Sequence, residues 1–236
     1  MKRGYVLHHR PYRESSALVN LLVDGIGRVD AVARIGSGKR SIKSILQPFQ
    51  PLIFEFSGKS ELKTLTQIEA AAPAVPLSGH SLYAGMYINE LLMRTLSVQH
   101  NAEALFLIYH RALVGLAADF CQSQLRYVEL ALLRELGAMP SLSRDTQGEA
   151  LVPEDYYQLI PELGFQFVLN SRARNAYQGA MLTALNDNQL VEEHFLSAKR
   201  LMRSMLQPLL GTKPLLSRQL FQSALMSKYV GNNSLE

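Results

Sequence analysis

With 236 residues, 47% of them hydrophobic and 19% charged, the chain holds enough apolar material for one large or two small packed domains, which excludes a disordered polypeptide. No apolar run approaches the roughly 18 residues of a membrane helix, and Met1-Lys2-Arg3-Gly4-Tyr5 enters a strand pattern in place of a signal peptide, so a cytoplasmic protein without membrane contact is expected. The net charge of +4 hides a partition: residues 1–80 carry 11 Lys/Arg against 6 Asp/Glu, residues 81–198 carry 7 against 13, and residues 199–236 carry 6 against 1. Cations gathered at both ends point to a polyanionic partner, with the acidic middle as scaffold.

The first 70 or so residues read as five short strands. Tyr5–His9 and Ala17–Val23 flank the turn Arg10-Pro11-Tyr12-Arg13-Glu14-Ser15, and Asp24-Gly25-Ile26-Gly27 turns the chain into Arg28–Ala33. Leu52–Phe56 and Leu62–Glu69 form a second pair about Ser57-Gly58-Lys59-Ser60. Five strands with a long third-to-fourth connection and a helical turn near Ile42–Gln47 fit an oligonucleotide-binding (OB) Greek-key barrel, although an SH3-like barrel has a similar strand count. Closure is favoured because so small a sheet has few other ways to protect its edges.

Ala70-Ala71-Ala72-Pro73-Ala74-Val75-Pro76-Leu77-Ser78-Gly79 breaks the strand pattern and sets a boundary, giving a barrel domain over 1–79 and a helical domain over 80–236. The fold class is α+β. Helical spacing of apolar residues recurs over 81–99, 102–120 and 124–136, the last closed by Gly137. Residues 138–170 are broken by Pro140, Gly148, Pro153, Pro161 and Gly164 into loop, short helix and a hairpin around Phe165–Leu169. Helices are expected again over 172–185, 188–207, stopped by Pro208, and 217–228.

Between the third and fourth strands, Arg34, Lys39, Arg40 and Lys43 follow one another with no acid among them, in a loop made mobile by Gly36-Ser37-Gly38. That composition grips phosphates without reading a base sequence. Arg10, Arg13 and Arg28 extend the set, and Tyr12 offers a ring on which a base could stack or which could equally be a packed lid of the barrel. Lys199, Arg200, Arg203, Lys213 and Arg218, with Lys228, form a second candidate DNA surface, Lys199 and Arg203 sharing a helix face at i, i+4. Two basic surfaces could hold two strands together, which is the physical requirement for annealing.

Catalytic, metal and cofactor chemistry find little support. Cys121 is the single cysteine, which excludes a multi-cysteine zinc site, and the six histidines show no ligand spacing, so neither metal nor other cofactor is expected. The Gly36-Ser37-Gly38 loop lacks the phosphate-loop spacing, no serine sits in Gly-x-Ser-x-Gly, and no carboxylates pair with histidine, so the protein is not expected to be an enzyme.

Gly27-Arg28-Val29, the basic loop and Leu46-Gln47-Pro48-Phe49-Gln50-Pro51-Leu52 resemble the amino-terminal domain of the RecO family, bacterial recombination mediators. Leu77-Ser78-Gly79, Tyr87-Ile88-Asn89-Glu90-Leu91-Leu92, Glu129–Leu133, Leu136-Gly137, Ala198-Lys199-Arg200 and Lys213-Pro214-Leu215-Leu216-Ser217-Arg218 continue the resemblance in order to about residue 221. The chain departs from relatives that carry a four-cysteine zinc knuckle. The resemblance implies single- and double-stranded DNA as ligands, RecR as a partner, a nucleoid-associated cytoplasmic location, and a site for the tail of single-strand-binding protein. Arg126, ahead of Tyr127–Leu133, matches the family's basic residue for that tail, and a surface ion pair with Glu129 is the plainer reading of the same arginine. An adaptor binding RNA through the same barrel, or an enzyme on this scaffold, are the rival expectations.

Overall fold

The computed structural model describes residues 1–36, 41–98, 100, 102–169, 173 and 175–220. They form two compact units, Met1–Phe120 together with the segment from Thr212, and Cys121–Gly211. The 79/80 boundary read from the sequence marks the change from strand to helix; packing instead draws two helices and the late segment into the barrel's unit.

The barrel is built from β1 (Lys2–Tyr12), β2 (Ser16–Val23), β3 (Gly27–Arg34), β4 (Pro51–Ser57) and β5 (Lys63–Ala70), closed in the order β1-β2-β3-β5-β4. β3 runs parallel to β5 and every other pair is antiparallel. This is the OB arrangement, and it settles the choice that strand count left open. Alternation of Val29, Ala31 and Ala33 with Arg28, Asp30 and Val32 points one set inward, where Val6, Val19, Leu21 and Phe54 complete the core. The expected helical turn after the basic loop is present, with Ile45 N–H and Leu46 N–H both donating to Ile42 O.

α1 (Gly79–Thr95) and α2 (Glu103–Ala118) pack on this barrel. Buried Asn89 joins three elements: its Nδ2 donates to Leu7 O at 3.1 Å, and its Oδ1 accepts from Tyr109 OH at 2.7 Å. Burial pushes the Tyr109 phenol well above its ordinary range, so the group stays a neutral donor. Gly27, at φ +90°, has no room for a side chain, since a Cβ there would lie 1.8 Å from the His100 carbonyl oxygen. Gly27→Ala is expected to cost at least about 2 kcal/mol, from the left-handed backbone and the displaced carbonyl together; a thermal unfolding midpoint equal to wild type would contradict this.

The second unit contains α3 (Gln122–Glu135), β6 (Tyr156–Ile160), β7 (Gly164–Val168), β8 (Ala176–Gln178), α4 (Gly179–Asn186) and α5 (Phe195–Leu210). The anticipated hairpin is β6–β7, but no short helix occurs among the described residues of 138–170. The helix expected over 172–185 is shorter. Ala176–Gln178 instead pair with β6 as a third strand, because the Tyr177 ring packs edge-on against Phe165 at 6.4 Å in the sheet's core. α4 then starts at Gly179, where a Cβ would meet Val152 O at 2.0 Å. Pro208 does not stop α5, which runs to Leu210. A proline so near the C-terminus removes a single helical hydrogen bond, and the helix still closes through Gly211 N–H to Gln207 O at 3.2 Å. Residues 216–220 are helical, and the rest of the expected 217–228 helix lies outside the described residues.

Candidate nucleic-acid interface

Strand register decides which cations meet. Tyr12, Ser16 and Arg34 stand opposite one another across β1, β2 and β3, and Arg10, Leu18 and Val32 form the next row of the same outward face. Buried Ala17 and Ala33 mark the opposite, inward parity. The outer surface thus frames two half-buried aliphatic side chains, Leu18 and Val32, between exposed Arg10 and Arg34. Cations beside an apolar platform suit a strand whose phosphates and bases must both be met.

Two loops share this rim. Ile35 N–H donates to Ser15 O at 2.8 Å, tying the start of the basic loop to the β1–β2 turn, and Ile42 N–H returns to Ile35 O at 2.9 Å. Lys39 and Arg40 lie outside the described residues, between these two anchors. Arg13, at φ 55° in the turn, holds its guanidinium 5.2 Å from the centre of the Tyr12 ring.

Lys43 is exposed and acts on His9, whose imidazole titrates below the ordinary 6.5 because of burial first, then the charges of His8 and Lys43. Folded His9 therefore binds fewer protons than in the unfolded chain; its contribution to stability is complete above 6.5 and declines as pH falls below that value. Phosphates at the rim would favour the imidazolium, so DNA affinity is expected to rise on acidification from about pH 7 to pH 5.5 and to do so less in His9→Gln. Parallel pH profiles for the two proteins would refute the linkage.

Other predicted cations sit elsewhere. Arg28 is engaged inside the first unit: it pairs with Asp30 at 3.1 Å, and its Nη1 donates to Met93 O and Leu96 O at 2.8 Å each, capping the C-terminal end of α1. The carboxy-terminal set is divided, with Lys199, Arg200 and Arg203 in the second unit and Lys213 and Arg218 in the first. Lys199, Arg200 and Arg203 are all exposed on α5, and Arg200 also places its guanidinium 5.6 Å from the centre of the Tyr177 ring. Arg218 lies over Tyr87 at 5.8 Å. Lys228 falls outside the described residues.

Two cations were not singled out in the sequence, Lys59 in the β4–β5 loop and Lys63 at the first position of β5. β5 starts with Lys63 opposite buried Ala31, on the inward parity that Leu65 shares, and its Nζ donates to Gly58 O at 3.1 Å, so Lys63 braces the β4–β5 turn and is not on the outward face of Arg34. The Gly58-Lys59-Ser60 turn was legible; its proximity to β3 needed the parallel β3–β5 pairing.

Arg126 is not at the surface. Its Nη2 meets Glu129 Oε1 at 2.9 Å on α3, with the two side chains 9% and 1% exposed, and its Nε is buried without a hydrogen-bond partner among the described residues. No group of three or more His, Cys, Asp or Glu that could hold a metal occurs among the described residues, and none of their helices is long and apolar enough to cross a membrane.

An OB barrel with a cation-framed outer face, followed in the chain by a helical region, defines a nucleic-acid-binding protein of the OB class. Residues 1–74 match the family described as Recombination protein O N terminal, and residues 77–219 match Recombination protein O C terminal. A DNA repair protein RecO from Stutzerimonas stutzeri is 42% identical, with 93% of this chain and 92% of that protein covered. Those from Pseudoalteromonas atlantica and Shigella flexneri are each 39% identical, covering 93% and 97% of this chain and 92% and 96% of theirs. The chain belongs to the RecO family.

Proposed function

We propose that the protein is a non-enzymatic mediator of DNA repair and homologous recombination, which binds single- and double-stranded DNA, anneals complementary strands and, with RecR, helps load recombinase onto DNA coated with single-strand-binding protein. The outward rows Tyr12–Ser16–Arg34 and Arg10–Leu18–Val32 carry this reading, since they join cations to a stacking surface. Phosphate neutralisation lets two strands approach, so no bond to substrate is made or broken. The DNA repair names of the relatives support the reading. Arg10, Tyr12, Arg13, Arg34, Lys39, Arg40 and Lys43 serve the barrel surface, while Arg28 acts by holding α1.

Arg126 receives the acidic tail of single-strand-binding protein. Its buried, unpartnered Nε–H supports the assignment, because a tail carboxylate could accept that bond. Lys199 and Arg203 supply a further phosphate surface. The test is annealing of complementary oligonucleotides, naked and protein-coated, by wild type and by Lys39→Glu/Arg40→Glu. Wild type should accelerate both reactions and the variant should be slower; no acceleration of naked strands at low salt would overturn the proposal.

A further inference from the structure

Two sequence blocks with no role in the barrel surface meet in the first unit. On α1, Glu90 accepts three hydrogen bonds from the late segment: from Leu216 N–H and Ser217 N–H at 2.8 Å each, and from Ser217 Oγ at 2.6 Å. One turn on, Arg94 donates to Lys213 O at 2.7 Å and Pro214 O at 3.0 Å. One turn before, the Tyr87 ring lies under Arg218. Tyr87, Glu90 and Arg94 are spaced i, i+3 and i+7, which puts them along a single stripe of the helix.

The chemistry of each contact is directional. Glu90 satisfies N–H groups in the first turn of the 216–220 helix, donors with no partner inside that helix, and brings a negative charge to its positive end. Arg94 takes the carbonyls just ahead of that turn, so cation and anion hold the strap in one polarity. Leu215 is buried at 2% exposure while Lys213 is left exposed. The backbone is fastened, and the cationic side chains are carried with it.

We infer that Glu90 and Arg94 are positioning residues for DNA binding: they clasp the 213–218 strap to α1, making Lys213 and Arg218 part of the same unit as the barrel's cationic face. This rests on the proposed DNA-binding function. It makes a specific demand, that the contribution of Lys213 and Arg218 to DNA affinity depend on a carboxylate that itself touches no DNA and would by charge alone oppose binding.

The experiment is a double-mutant cycle on the full chain, read as the salt dependence of single-stranded DNA affinity. Lys213→Gln/Arg218→Gln should flatten the slope by about 1.4, two cations at about 0.7 each. Glu90→Ala, although it removes a negative charge, should flatten it by a similar amount, and the two lysine and arginine substitutions should add nothing in that background. A Glu90→Ala slope equal to wild type, or additive losses, overturns the clasp. Should Glu90→Ala fail to fold, Glu90→Gln keeps a neutral acceptor for the strap and is held to the same cycle, with a partial loss expected. Lys39→Glu/Arg40→Glu separates the two ideas. A flattened slope there with none for Glu90 defeats the clasp alone, and a full slope in both defeats the barrel-face reading.

Discussion

Arg126→Ala is expected to lose about 3–5 kcal/mol of stability, because it takes the guanidinium away from the buried Glu129 carboxylate. The loss should appear as a lower urea midpoint. A simple loss of tail binding in that variant would therefore be ambiguous, and a second replacement separates the two effects. Arg126→Met with Glu129→Leu removes both charges and fills the space with apolar groups, so stability should return to within about 1–2 kcal/mol of wild type. In the double variant, affinity for an acidic peptide ending in a large apolar residue should still be lost, while naked DNA binds as in wild type. Retained peptide affinity would refute the tail assignment, and an unshifted urea midpoint for Arg126→Ala would refute the buried-pair account.

Lys39→Glu with Arg40→Glu should weaken single-stranded DNA binding on the order of tenfold or more at low salt and flatten the salt dependence by about 1.4, as two phosphate contacts and their released counterions disappear. The substitutions fall between Ile35 and Ile42, whose backbone hydrogen bond closes the loop's base at 2.9 Å, so the barrel should keep its stability. Equal affinity at low salt would remove the basic loop from the interface. A proportional loss on double-stranded DNA would show that the loop acts through phosphates; a loss confined to single strands would give Tyr12 and the apolar rows the larger share.

The five strands were legible because short runs of strand-forming residues lie between turn signals, and the helices before Gly137 because their apolar residues recur at helical spacing. Ala176–Gln178 escaped this reading: three residues are too few to show a period, and only the opposite edge of β6 makes them a strand. Pro208 misled because its position in the last turn of α5, where little is lost, cannot be seen without the helix's true end.

Chain order and residue type alone established a basic barrel followed by helices, and the residue blocks that carry the family resemblance. Residue type could not say what each cation touches. Arg28 and Arg34 lie on one strand with one parity, yet the first caps α1 and the second stays exposed, across Ser16 from Tyr12. Arg126 and Lys199 look alike in sequence, and burial with Glu129 separates them. Charge is a local property of the chain, whereas whether that charge faces water, a carbonyl or a carboxylate depends on elements brought together from 3 residues away, as for Arg126, or from 127, as for Glu90 and Ser217.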